Sequence, residues 1–135
     1  MPKTNFLEDL VLNRFLRNVA GTGPYPAYVA LGTSATTPSE NGSGFTEVSG
    51  GSYARQAAGF SAPVSVNGAP NTVTNPSAIS FPQATASWGT VRWIGIFTAV
   101  SGGTLLYFQQ LASDKVVGID DIFEFLTGTL IIGED

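Results

Sequence analysis

The chain contains no cysteine and no histidine. Those two absences remove disulfides, thiolate nucleophiles, the side chain that most often moves protons near neutral pH, and the commonest transition-metal ligands, so no cofactor is expected. Charge is scarce too: Asp, Glu, Lys and Arg make up 12% of the residues and the net charge is −4. The six basic residues, Lys3, Arg14, Arg17, Arg55, Arg92 and Lys115, are scattered. They leave no electrostatic footprint for a phosphate backbone, and no nucleic-acid partner is expected. No apolar run approaches the ~18 residues that a membrane span requires, so no membrane partner is expected. The N-terminus has no small-residue cleavage site after a basic start, and no signal peptide is expected.

What is present is apolar bulk, 43% of 135 residues. A chain of this length is expected to form one domain and to bury roughly two thirds of its unfolded surface. The expected division is a helical arm over residues 1–20 followed by a β-sandwich over 25–135, with a long polar loop at 32–51. With so few charges, the exterior has to be Ser, Thr, Asn, Gln, Gly or apolar surface that something else covers. That pattern suits a packed assembly.

The stretch from Trp88 to Phe97 holds both tryptophans, three β-branched aliphatics and a phenylalanine. It reads as the central strand, with Val91, Trp93 and Phe97 on one face and Ile94 and Ile96 on the other, both faces covered. Trp88, Trp93 and Phe97 are therefore expected in the core. At the front, Thr4 or Asn5 can cap a helix, Glu8 stands three residues after Asn5 as in a capping box, and Arg14 and Arg17 occupy the last turn. A helix over Asn5 to about Asn18 follows, with Gly21 and Pro24 to stop it. Its apolar residues cover more than one narrow stripe. Burying five or six of them is worth on the order of 10 kcal/mol gross, so the helix has to pack on its own sheet or on a neighbour. Phe6, Leu10, Val11, Arg14 and Phe15 are the candidate subunit or shell contacts.

Further strands are expected at Tyr25–Leu31, Tyr53–Phe60, Ser77–Phe81, Thr104–Leu111, Ile122–Leu126 and Thr129–Ile132. Turn signals such as Asn67-Gly68 and Asn75-Pro76 separate them. Seven or eight short strands behind one helix give an all-β fold, an antiparallel β-sandwich or jelly roll. The polar Gly32–Gly51 stretch is expected to be mobile or clamped by a partner.

Catalytic constellations are hard to assemble from this inventory. Asp120 and Asp121 would point to opposite faces of a strand, and Asp120 and Glu124 on one face would stand roughly 13 Å apart, too far for a carboxylate dyad. Gly50-Gly51 and Gly102-Gly103 are not followed by Lys-Ser/Thr, and no serine has a base to activate it. No enzyme is expected. Arg55 and Arg92 interrupt apolar strands and call for carboxylate or carbonyl partners, with Glu47 and Glu124 as candidates across strands or between subunits. Glu47 and Arg55 accordingly join the candidate interface.

Two stretches carry a family resemblance: Thr46-Glu47-Val48-Ser49-Gly50-Gly51-Ser52-Tyr53-Ala54-Arg55-Gln56, and Phe81-Pro82-Gln83-Ala84-Thr85-Ala86-Ser87-Trp88-Gly89-Thr90-Val91 with Ile94-Gly95-Ile96-Phe97 and Gly103-Thr104-Leu105-Leu106-Tyr107 after it. The chain from about Asn5 to Leu111 resembles small structural proteins of tailed bacteriophages, relatives of which are labelled tail-fibre proteins or look like capsid decoration (cement) proteins. The resemblance implies a virion structural protein made in the host bacterial cytoplasm. Its sharpest form is a cement protein on the capsid surface, a homotrimer that bridges neighbouring major capsid subunits and stabilises the mature shell. A tail or tail-fibre component for attachment or host recognition is the alternative. A carbohydrate-binding module, with Trp88, Tyr25, Tyr28 or Tyr53 as a stacking platform, is a third.

Overall fold

The computed structural model describes residues 1–21, 23–65 and 67–134; Thr22 of the expected linker, Val66 of the expected turn region and the terminal Asp135 lie outside them. Among these residues there is one helical arm and eight strands: β1 (Tyr28–Gly32), β2 (Gln56–Ala57), β3 (Asn71–Thr74), β4 (Ile79–Ser80), β5 (Gly89–Phe97), β6 (Leu105–Val117), β7 (Glu124–Phe125) and β8 (Ile131–Glu134). All pairings are antiparallel. One sheet has the order β2-β1-β5-β6, and two ribbons, β3-β8 and β4-β7, complete an all-β sandwich.

The main core lies between the four-stranded sheet and the ribbons. Val29, Leu31, Ile94 and Ile96 from the sheet meet Ile79, Phe81, Leu130 and Ile132 from the other layer. A smaller core of Trp93, Leu105 and Phe108, with Phe45 and Phe97 against it, covers the opposite face. Glycine makes that second core possible. A Cβ on Gly32 or Gly95 would fall 2.8–2.9 Å from the Phe45 ring tip, so two residues without side chains, on adjacent strands, form the seat for one aromatic ring.

The central strand departs from simple alternation. Val91 joins Ile94 and Ile96 in the main core, whereas Trp93 packs in the smaller one. The cause is a register shift. Val91 lies opposite Lys115 and Trp93 opposite Gln110, so two steps on β5 (91 to 93) answer five on β6 (115 to 110). The surplus residues bulge and re-aim the side chains on either side.

The segment between β1 and β2 is held by the chain itself, contrary to the expectation of a mobile or partner-clamped loop. Ser34 is buried and its hydroxyl donates to the Gly44 carbonyl while accepting from the Thr46 N–H. The Trp93 indole donates to the Ser34 carbonyl, Gly32 bridges Glu47, and Val48 is buried. Enough polar groups find partners internally for a glycine-rich segment to order without outside help.

Strand limits also differ from those expected. Tyr53–Phe60 contributes only two paired residues, Gln56 and Ala57, opposite Val29 and Tyr28. β3 forms within the expected turn region and pairs β8, while β6 runs on to Val117. The arm is α-helical over Asn5–Val11 (α1) and winds more loosely, as a π-helical turn, over Leu12–Leu16. The Arg17 N–H reaches back to the Leu12 carbonyl, and Asn18, in the left-handed region that asparagine tolerates, ends it.

Candidate functional site

Three groups of side chains stand out: a charged cluster around Arg55, the helical arm, and an apolar groove beside β6. In the first, the Arg55 guanidinium lies over the Phe97 ring, 3.8 Å from its centroid. Its Nε and Nη2 donate to the two carboxylate oxygens of Glu47, each at 2.8 Å, and Nη1 donates to the Ala99 and Gly102 carbonyls. Tyr53 donates its hydroxyl proton to the same carboxylate and accepts from the Leu31 N–H. Burial acts to raise the Glu47 pKa, but the hydrogen bonds from Arg55 and Tyr53 outweigh it and hold the carboxyl below its usual range. Burial and the neighbouring carboxylate push the Tyr53 phenol up.

The pairing expected of Glu47 and Arg55 thus exists within one chain. A groove of about 410 Å³ borders it, but the polar groups that line it already serve one another. Arg92 takes a different partner from those expected: its Nε lies 3.4 Å from Asp114, and Nη1 donates to the Thr33 carbonyl. Glu124 instead accepts from the Ser80 hydroxyl.

The arm is the second group. Thr4 precedes it in extended conformation as N-cap, but makes no side-chain cap bond. Its buried hydroxyl donates to the Leu105 carbonyl and its N–H to that of Leu106, while Phe108 donates to Pro2. Lys3 pairs with Glu134, which also accepts from the Tyr107 hydroxyl. Residues 2–4 therefore line the outer edge of β6. The helix beyond them buries no residue. Phe6 packs on the Tyr25 ring and Leu10 touches Gly21, whereas Leu12, Phe15, Leu16 and Val19 are 50%, 74%, 77% and 42% exposed. Of the expected contact residues, Leu10 and Val11 are half-covered, and Phe6, Arg14 and Phe15 are exposed.

The third group was not foreseen. Two adjoining hollows of about 300 Å³ each run between the bulged end of β6 and the chain at 121–125. Leu111 and Phe123 form the apolar lining, Val116 and Ile122 stand 74% and 58% exposed at the rim, and Lys115, Asp121 and Glu124 supply the charge. The acids here do not converge on a cation: among the described residues no three potential ligands could hold a metal.

Trp88 and Trp93 are core residues, 5% and 6% exposed, with their indole N–H groups donating to the Gly51 and Ser34 carbonyls. Phe97 is half-buried beneath Arg55. Both indoles are enclosed, so neither tryptophan presents an open face on which a sugar ring could stack. Asn75 was read only as a turn former. It is fully buried and binds the Ser77 and Leu126 carbonyls and the Leu130 N–H, tying the β3 end to the approach of β8.

Fold and surface together define a class: a small all-β sandwich whose charged clusters brace its own loops and whose apolar surplus sits on an unburied arm. A family model described as podophage GP4 fiber I protein gp80 matches residues 2–133, and the chain belongs to that family. It is a structural protein of the bacteriophage virion. No curated protein matches the sequence.

Proposed function

We propose that this chain is a non-enzymatic building block of a fibre-like appendage of the phage particle, joined to its neighbours through its apolar outside. The observation that carries this reading is the arm: twelve residues, Asn5–Leu16, with no side chain buried. Leaving Leu12, Phe15 and Leu16 in water forfeits about 1.5–3 kcal/mol each relative to burial, an arrangement that makes sense when the covering surface belongs to another molecule. The family's own description names a fibre protein, which favours an appendage over the shell.

The same arm supports a second reading, a cement protein on the mature head that bridges major capsid subunits. A cement protein would need extended segments free to grip the shell, whereas the polar loop and the C-terminal strand are both engaged within the chain, the loop on Trp93 and β8 on β3. Immunogold labelling of intact particles separates the two. Label at the tail or its fibres supports the appendage, label distributed over the head supports the cement protein, and particles without label overturn both.

A further inference from the structure

From the same exposed arm, we infer that the arm of one copy seats in the groove beside β6 of another copy, a head-to-tail contact of the chain with itself. Three observations converge on it.

The first is placement. Thr4, where the arm begins, is bonded to Leu105 and Leu106, and Tyr28, just beyond its return, is in register with Phe97, which is itself opposite Leu105. Both roots of the arm therefore sit at one end of the sheet. The groove lies at the other end, where Lys115 and Val116 face Val91 and Thr90. From Leu106 to Lys115 the strand spans roughly 20–30 Å at ~3.3 Å per residue. The two surfaces lie at opposite ends of the same molecule, the geometry of a heterologous interface, which closes into a ring or runs on as a filament.

The second is shape and polarity. The exposed side of the arm offers Leu12, Phe15 and Leu16, and the groove offers Leu111, Phe123 and the exposed Val116 and Ile122. On the arm these side chains are exposed; in the groove Leu111 and Phe123 are half-buried on the core and Val116 and Ile122 are exposed.

The third is charge. Arg17 lies at the end of the arm that carries Phe15 and Leu16, and at the rim of the groove Glu124 and Asp121 outnumber Lys115. With Phe15 and Leu16 in the hollow, the cation meets carboxylates, and charges placed so fix register and partner choice. The other self-contact available to the arm is antiparallel pairing with a second arm, which would set Arg14 and Arg17 against Glu8 and Asp9 instead.

Light scattering of the full chain across a concentration series tests the inference. The expected result is reversible association of the wild type, lost in Arg17→Glu and in Phe15→Ser/Leu16→Ser, and restored when Arg17→Glu is combined with Glu124→Arg in one chain. Every substituted residue is exposed, and unchanged circular dichroism checks that each variant folds. A wild type that stays monomeric at all concentrations overturns the inference. So does rescue of Arg17→Glu by Glu8→Arg/Asp9→Arg and not by Glu124→Arg, which would mean that arms pair with arms. A monomer that still labels the virion sinks this contact alone and leaves the proposed function standing.

Discussion

Replacing Arg55 with methionine would keep apolar contact with Phe97 but leave Glu47 with the Tyr53 hydroxyl and no cation, and remove the Arg55 donors from the Ala99 and Gly102 carbonyls. A half-buried carboxylate left without its cation is costly, so Arg55→Met is expected to lower the unfolding free energy by about 2–4 kcal/mol, read from urea melts. Adding Glu47→Gln should recover part of that loss, because the stranded charge goes. The Glu47 carboxyl is depressed in the folded state, so its contribution is present above its ordinary pKa of 4.5 and is lost as the pH falls through the lower folded value. Glu134, held below its usual range by Lys3 and Tyr107 against the opposing effect of burial, behaves the same way. Stability plotted against pH should therefore be flatter below about pH 5 in Glu47→Gln/Glu134→Gln than in the parent; an unchanged slope would show that neither carboxylate matters to acid unfolding. Asn75→Ala leaves the buried Leu130 N–H without its partner and removes the ties to the Ser77 and Leu126 carbonyls, and is expected to cost about 1–3 kcal/mol.

At the scale of elements, the arm and the residues before it should respond in opposite ways. Leu12→Ser and Phe15→Ser lie on an unburied helix and are expected to shift the stability of the isolated chain by no more than about 0.5 kcal/mol. Removing residues 1–4 uncovers the β6 edge, breaks the Thr4 and Pro2 pairings and releases Glu134, so chemical denaturation should show a loss of a few kcal/mol. The sequence announced the helix through its apolar spacing and charges, but the expected side-chain cap does not form, because Thr4 gives its hydroxyl to a carbonyl about a hundred residues away, and Asn18 rather than Gly21 ends it. β5 was legible because six of its nine residues are β-branched or aromatic, which leaves little choice. Its alternation failed at Val91 because a bulge depends on the partner strand, which no local pattern contains. β3 hid among turn signals because Thr72, Val73 and Thr74 make a strand only once Ile131 and Ile132 lie beside them.

For the whole molecule, the antiparallel sandwich followed from many short apolar runs and a single helix, and the Glu47–Arg55 pairing from a cation that needed a partner inside an apolar strand. The groove beside β6 was invisible beforehand, because it is made by a bulge, and the ordered loop was invisible because Ser34 and Phe45 find their partners only in the folded sheet. The seal that residues 2–4 place on β6 has a temporal side. Thr4 meets a partner 101 positions along the chain and Lys3 one 131 positions along, so the seal closes loops of very high sequence separation. Contacts so distant in sequence form slowly and late. Docking of the arm therefore belongs to the late part of folding, and in a refolding experiment the β5–β6 pairing should form before residues 2–4 close on its edge.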